Sequence, residues 1–210
     1  MNARGALCAM GTVLVIVGAA CGITADSEPR ALPVTTTTST TPTSEPTGDQ
    51  LSNVYMVTNG ALVPTRRRVP ARNPTEIMNS VLIRPDESEG ETLSSSVPAN
   101  TKLLSARRGQ NGILEVDLSA DFEDVQGDAR VLAIGQIVMS TTELPGVETL
   151  QFFIEGKPLK VFSGERGEVN TVTACDYAER LSNPTDDDSE LTPGQSVALA
   201  ERRNALRQDC

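Results

Sequence analysis

The sequence predicts an α+β domain with the element order ββαββαββ, placed behind an export leader and followed by a helical C-terminal extension. Three observations predict this architecture. Runs such as Leu114 to Leu118 alternate apolar and polar side chains, which is typical of a half-buried strand. Two longer stretches, at residues 74–84 and 129–143, carry apolar side chains at helical spacing. Short turn sequences separate most neighbouring strands, and this favours antiparallel pairing.

Residues 1–20 have the pattern of an export signal. Arg4 precedes an apolar run from Ala6 to Ala20 that is shorter than the ~20 residues needed to span a bilayer. The run ends in Val17-Gly-Ala-Ala-Cys21, which resembles a bacterial lipoprotein signal, although Gly18 stands where Leu or Val is usual. The resemblance implies that Cys21 is fatty-acylated and holds the chain on the outer face of the cytoplasmic membrane. Secretion without lipid and an uncleaved anchor remain alternatives.

Residues 21–50 form the expected tether. After the lipidated Cys21 the segment is rich in Thr, Ser and Pro, and it cannot bury enough apolar surface to offset the entropy of ordering. A flexible chain of about 29 residues reaches roughly 30 Å. O-glycosylation of such a stalk is an alternative to a plain disordered linker.

The folded part begins with a predicted hairpin. Val54 to Val57 is a short β-type run, and Leu62 to Val69 is its return strand. Asn59-Gly60 lies between them, and both residues tolerate the positive φ of a type I′ turn.

A helix is predicted next. Asn73 can cap it, Pro74 suits the first helical position, and the Glu76 side chain can accept a hydrogen bond from the backbone amide of the cap residue. Pro85 ends the helix, and the acidic, Ser-rich residues 86–100 are expected to be a loop.

The second half repeats this order. Lys102 to Arg107 and Leu114 to Leu118 are predicted strands around the turn Asn111-Gly112. A helix follows from Ala129 to about Glu143, and Asp128 is its expected cap. Because its centre is apolar nearly all round, we expect it to be enclosed by neighbours.

Inside this helix Gly135 departs from helix propensity, and close packing of the helix against a sheet would explain it. Gln136 is expected to bond to backbone or to domain neighbours. The final predicted strands are Leu150 to Ile154 and Leu159 to Phe162.

Several of these segments resemble the sporulation and spore germination (GerMN) domain over residues 51–165. In chain order they are Val54-Tyr-Met-Val57, Leu62-Val-Pro64 with Arg66-Arg-Arg-Val-Pro70, Thr101-Lys-Leu-Leu-Ser105, Val116-Asp-Leu-Ser-Ala-Asp-Phe122, Leu132 to Val147 and Phe153-Ile-Glu-Gly156. The resemblance implies a compact fold similar to ring-building motifs, an extracytoplasmic location and no established catalytic residues. It does not imply sporulation, since solitary GerMN lipoproteins occur in bacteria that form no spores.

Residues 166–210 lie beyond the resemblance. Thr192 and Gln195 form a predicted capping box that opens a helix to about Gln208, and its weak apolar stripe predicts loose docking. Cys175 and Cys210 remain after the signal cysteines are set aside, and an exported chain can pair them as a disulfide. Two free thiols are the alternative, and partners for zinc are lacking.

Five arginines define a candidate anionic-partner patch: Arg66, Arg67, Arg68, Arg107 and Arg108. Alternation puts Arg66 and Arg68 on one face of a strand and Arg67 on the other. The patch could bind wall polymer, phospholipid headgroups or an acidic protein. A solvated strand edge, whose charge discourages aggregation, is the alternative.

Composition excludes several classes of function. The formal net charge of −10 disfavours nucleic-acid binding, and the absence of His removes His-dependent triads and common metal sites. Asp186 to Asp188 with Glu190 lack EF-hand spacing. The carboxylates of a glycan hydrolase need a cleft with aromatic platforms, and aromatics are only 3%. That observation weighs against Asp117, Asp121, Glu123 and Asp124 as such a pair.

The sequence therefore predicts a membrane-anchored envelope lipoprotein that is not an enzyme and uses no cofactor or metal. Its GerMN-like domain would be an interaction or assembly module that recognises an envelope protein, for example through an exposed sheet edge. Binding of anionic wall polymer through the arginine patch is the alternative, and a cell-wall hydrolase is a minor one.

Overall fold

A computed structural model describes residues 49–109, 112–183 and 191–210. The predicted leader, Cys21 and nearly all of the tether lie outside the described residues, as do Asn111 and the acidic run Asp186 to Asp188. Among the described residues, no helix is long and apolar enough to cross a membrane.

The described chain contains nine strands, three α-helices and two 3₁₀ helices. In order they are β1 (Gln50–Thr58), β2 (Ala61–Val69), α1 (Pro74–Leu82), β3 (Leu103–Arg108), β4 (Leu114–Leu118), a first 3₁₀ helix (Ala120–Asp124), α2 (Gly127–Thr141), β5 (Thr149–Ile154), β6 (Lys157–Leu159), β7 (Val161–Ser163), β8 (Gly167–Val169), β9 (Thr171–Thr173), a second 3₁₀ helix (Ala174–Arg180) and α3 (Pro193–Asp209). The α+β prediction is confirmed.

β1 and β2 form the predicted hairpin. The strands pair antiparallel from Gln50 opposite Val69 to Thr58 opposite Ala61. Asn59 and Gly60 have φ angles of 47° and 74°, so the turn uses the left-handed region that its sequence tolerates.

α1 begins as predicted. The Asn73 side chain accepts a hydrogen bond from the Glu76 amide at 3.0 Å, and Pro74 opens the helix. The buried residues Ile77, Met78 and Val81 give the helix an apolar face.

The second sheet has the order β3-β4-β5-β6, and β9 also pairs with β5. β4 and β5 are parallel, which the expectation of mostly antiparallel neighbours did not include. The connection between them contains α2, and parallel strands need a crossover of this kind. One face of the sheet joins the core through residues of both strands: Leu114, Val116, Leu118, Leu150, Phe152 and Ile154.

α2 is enclosed as predicted, and every residue from Leu132 to Thr141 is buried. Its start differs from the prediction, because the helix begins at Gly127 after Gln126. Asp128 therefore lies in the first turn, where its carboxylate pairs with Arg180 at 2.7 Å instead of capping.

The predicted strand Leu159 to Phe162 is divided. Leu159 pairs with Phe152 in the large sheet, whereas Val161 pairs with Val169 in a separate β7-β8 hairpin. β8 and β9 have three residues each, too few to give a recognisable pattern in the sequence.

The C-terminal helix is packed more firmly than predicted. Thr192 and Gln195 form the expected capping box, and α3 extends from Pro193 to Asp209. Leu199 is fully buried and Leu206 is nearly so, so two leucines are sufficient to anchor the weak stripe.

Candidate interaction surfaces

Arg67 is buried beneath the hairpin rather than presented to a partner. Its guanidinium forms two parallel hydrogen bonds with the Glu89 carboxylate, at 2.6 and 2.7 Å. It also donates to the carbonyls of Ser80 and Ile83 at the end of α1. The side chain is only 8% exposed. Arg67 therefore joins β2, α1 and the acidic loop, and it is removed from the predicted patch.

The four other patch arginines lie in two different sheets. Arg66 and Arg68 are exposed on β2, on the face opposite Arg67. On β3, Arg107 Nε lies 3.0 Å from the carboxylate of Glu115. Arg108 donates to the carbonyls of Pro145 and Gly146 beyond the end of α2. Both β3 arginines thus have acceptors within the domain.

A small polar cavity of about 210 Å³ lies at the end of the hairpin where β1 begins. It is lined by Leu51, Ser52, Asn53, Arg66, Arg72 and Glu143. Arg72 donates one hydrogen bond, to the Glu143 backbone carbonyl at 3.3 Å. Ser52 is 4% exposed, and its hydroxyl has no hydrogen-bond partner in the part of the chain that the structure describes.

A polar cluster behind this cavity fixes the carboxylate of Glu143. The Tyr55 hydroxyl donates to Glu143 Oε1 at 2.9 Å, and Arg202 Nε lies 3.8 Å from the same oxygen. Burial, with the neighbouring Glu143 charge, raises the pKa of Tyr55 well above its ordinary value. The phenol therefore remains a hydrogen-bond donor, and the charge of Glu143 is matched by Arg202.

β3 forms one edge of the large sheet, and β6 and β9 lie at the other. Among the described residues β3 pairs with β4 and with no further strand. Its register shifts between Leu103 and Ser105, which makes Leu104 the extra residue of a bulge. Leu104 is 51% exposed, so this edge presents an apolar side chain to solvent.

The C-terminal extension is fastened by a disulfide and a buried carboxylate. Cys175 and Cys210 are bonded, with their Cα atoms 5.8 Å apart. Asp176 accepts from Ser163 Oγ at 2.5 Å, from the Thr173 amide at 2.7 Å and from Arg166 Nη2 at 2.7 Å. Burial opposes its negative charge, but hydrogen bonds from Arg166, Ser163 and Thr173 prevail and lower the pKa of Asp176.

The family model for sporulation and spore germination domains, named Germane, matches residues 53–160, more than half of the chain. The chain belongs to the Germane family. The match includes most of β1, all of β2 and the β3 edge, together with Tyr55 and Glu143 of the polar cluster, whereas Arg202 lies beyond it. The whole disulfide-bonded extension, residues 166–210, also lies beyond the match.

Two solved structures from Bacillus subtilis are similar to this GerMN chain. One holds the tandem GerMN domains of the sporulation protein GerM: the identity is 14%, the TM-score is 0.51, and the match covers 61% of this chain and 47% of that one. The present chain thus spans about half of the tandem protein. The other is the first GerMN domain alone, with 15% identity, a TM-score of 0.49 and coverage of 59% and 97%. A comparison with curated proteins finds no match.

Two of the four carboxylates considered for a hydrolase have structural partners in this GerMN domain, and the other two, Glu123 and Asp124, are exposed. Asp117 Oδ1 accepts from the Gly156 amide at 3.1 Å, and Asp121 accepts from Ser119 at 2.8 Å. Across residues 49–109, 112–183 and 191–210, no group of three or more acidic or Cys side chains could hold a metal ion.

Sequence reasoning missed the residues that organise these surfaces. Glu89 lies in a loop without periodicity, and Arg72 follows the strand that contains the triple arginine. Gln136 did give a signal, as a polar residue inside an apolar helix. Its side chain accepts from the Ser96 amide at 2.7 Å and donates to the Tyr55 carbonyl at 3.1 Å, as expected.

Proposed function

We propose that this chain is an extracytoplasmic lipoprotein, anchored through Cys21 to the outer face of the cytoplasmic membrane. Its GerMN domain is a non-catalytic module that binds an envelope protein. The observation that carries the binding function is the free edge of β3, with Leu104 exposed on a bulge. A partner strand added there would gain main-chain hydrogen bonds, and Leu104 would supply apolar contact.

The disulfide supports the location outside the cytoplasm. Disulfides persist in oxidising compartments and are rare where thiol reductants are abundant. Cys175 and Cys210 are bonded in the folded extension. The export signal inferred from the sequence would deliver the chain to such a compartment.

Two features of the site support recognition rather than catalysis. Asp117 and Asp121, two of the carboxylates considered for a hydrolase, accept hydrogen bonds from a backbone amide and a serine hydroxyl. The GerMN family is also not known for enzymes.

Site-specific photo-crosslinking in cells tests the binding edge. A photoreactive amino acid at Leu104 should yield one defined protein adduct. The same amino acid at Val197, which is 59% exposed on α3, is the matched control and should yield none. Leu104→Asp should abolish the complex while Val197→Asp retains it, with unchanged melting temperatures for both. Adducts from Val197 alone, or a complex that survives Leu104→Asp, would refute the β3 edge as the binding site.

Fractionation and mass spectrometry test the anchor. Wild-type protein should sediment with membranes and carry a diacylglyceryl group on Cys21. The Cys21→Ser variant should lack this group and should no longer sediment with membranes. An unmodified full-length chain in the cytosol would contradict the proposed location. Release of soluble muropeptides that depends on Asp117 or Asp121 would instead support a cell-wall hydrolase.

A further inference from the structure

The hairpin end nearest the tether has cationic side chains without acidic partners. Arg66 and Arg68 are exposed, and neither has a hydrogen bond or an ion pair with any residue that the structure describes. Arg72 makes a single hydrogen bond, to a backbone carbonyl. These three guanidinium groups therefore retain most of their capacity to donate hydrogen bonds.

The cavity between these side chains is suited to an oxyanion. Arg66, Arg72 and Asn53 are among the residues that line this volume of about 210 Å³, whereas the Ser52 hydroxyl is itself buried from solvent. The carboxylate that also lines it, Glu143, is already held by Tyr55 and faces Arg202. Guanidinium groups bind phosphate with paired, charge-assisted hydrogen bonds, so a phosphate group suits these donors.

An apolar side chain lies beside the arginines. Leu51 is 53% exposed and is directly opposite Arg68 in the β1-β2 register. A patch that combines an exposed leucine with arginines can insert the apolar group at the headgroup boundary while the cations meet lipid phosphates.

The position in the chain also favours a lipid over another anion. β1 begins at Gln50, immediately after the segment that runs from Cys21. Under the proposed lipid anchor, this end of the hairpin is the part of the fold closest in sequence to the lipidated Cys21. The whole chain has a net charge of −10, so any attraction to an anionic membrane must be local. Charges act over about 8 Å at physiological salt, which permits a local attraction.

We propose that the membrane-facing patch, defined as Leu51, Arg66, Arg68 and Arg72, docks the domain on the bilayer by binding the phosphates of anionic phospholipid headgroups. This inference rests on the proposed anchoring for its biological setting. The surface itself is independent of the lipid on Cys21, and it is also separate from the β3 edge. The domain would thus be oriented on the membrane while β3 remains available to a partner.

Vesicle co-sedimentation tests this proposal without the lipid anchor. The chain from residue 21 onward, the mature form under the proposed function, carries Cys21→Ser. It should sediment with vesicles of mixed phosphatidylglycerol and phosphatidylcholine, but not with pure phosphatidylcholine, and the binding should weaken as salt is raised. Replacing Arg66, Arg68 and Arg72 by Ala should weaken binding by about fivefold per arginine.

A charge-matched variant separates local contact from net charge. Arg84, Arg107 and Arg207 are exposed elsewhere, and replacing all three by Ala changes the net charge equally. This control should bind the mixed vesicles far better than the patch variant. Leu51→Ser should weaken binding without changing its salt dependence, and circular dichroism should show every variant folded.

Three results would overturn the membrane-facing patch: equal binding by the patch and control variants, equal binding to both vesicle types, or stronger binding to purified anionic wall polymer than to the mixed vesicles. None of them would affect the proposed anchor, because Cys21→Ser removes the lipid from the assay. Failure of Cys21 lipidation in cells would in turn leave the vesicle result unchanged.

Discussion

The GerMN region and the C-terminal extension are stabilised by different physical means. Residues 53–160 bury long alternating strands and an enclosed helix, so their stability comes mainly from apolar packing. After residue 160 the strands have only three residues each, and the buried residues of α3 are Ala198, Leu199 and Leu206. A disulfide and the Asp176 hydrogen bonds supplement this limited apolar contact. An extension with little hydrophobic core of its own can thus be stabilised by a covalent bond and polar interactions.

The largest effect should come from removing the disulfide. The bond joins residues 35 apart, and the chain-entropy relation gives a stabilisation of about 3–4 kcal/mol for such a loop. We expect the double variant Cys175→Ser, Cys210→Ser to have a free energy of unfolding lower by that amount. Its denaturant midpoint should therefore fall. Hydrogen exchange should show lost protection in α3 and retained protection in β4 and α2. Equal loss in all three elements would contradict the distinction between the two regions.

Arg67→Met tests the GerMN region by removing its buried cation. Glu89 and two carbonyls at the end of α1 would lose their donor, and breaking a buried ion pair is strongly destabilising. Because Glu89 keeps 20% exposure, we expect the lower part of that range, about 3 kcal/mol. Arg68→Met, one residue along on the exposed face, should change the free energy of unfolding by less than about 0.5 kcal/mol. Similar losses for both variants would disprove the buried role of Arg67.

Asp176→Asn should weaken the extension by about 1.5 kcal/mol at neutral pH, since hydrogen bonds to a charged acceptor are lost. In the wild type, burial alone would raise the pKa of Asp176, but the hydrogen bonds from Arg166, Ser163 and Thr173 outweigh it. The pKa is therefore lowered from 3.8. Its stabilisation is therefore present above about pH 4 and disappears as the pH falls through the lower folded pKa. Denaturation at a series of acidic pH values should show a shallower decline for the variant. Identical slopes would exclude this contribution.

The smallest effects should come from two glycine substitutions of opposite sign. A Cβ at Gly135 would lie 2.9 Å from Leu62 Cδ1 and 3.2 Å from Tyr177 Cδ1, and both side chains are fully buried. Gly135→Ala should therefore destabilise by about 1 kcal/mol despite the better helix propensity. A Cβ at Gly194 meets nothing within 4 Å, so Gly194→Ala should stabilise α3 by a few tenths of a kcal/mol. Thermal unfolding of the pair would test both signs, and stabilisation by Gly135→Ala would contradict close packing there.

Local signals made much of the fold predictable. The Asn59-Gly60 turn, the Asn73 cap and the Thr192 capping box each depend on residues a few positions apart, and each forms as expected. The close approach expected at Gly135 is also present, although it is made by Leu62 of β2 and Tyr177 of the second 3₁₀ helix. The parallel pairing of β4 with β5 could not be inferred from turns, because these strands are joined by a crossover that contains α2 and not by a turn.

The candidate surfaces were less predictable for the same reason. Alternation along β2 correctly placed Arg67 opposite Arg66 and Arg68. It could not reveal Glu89 as the partner of Arg67, since that carboxylate comes from a loop 22 residues away. The cavity at the hairpin end depends on which residues face each other across β1 and β2 and on the position of Glu143. Such a site exists only after the tertiary structure has formed.

The burial of α2 has a consequence for how this domain can diversify. A typical surface helix has a solvent-facing stripe on which substitutions are nearly neutral, but α2 has none from Leu132 to Thr141. A deep mutational scan should therefore find this segment the least tolerant part of the described chain. New binding specificities would have to evolve on strand edges, loops and the terminal helix around a centre that selection holds nearly constant.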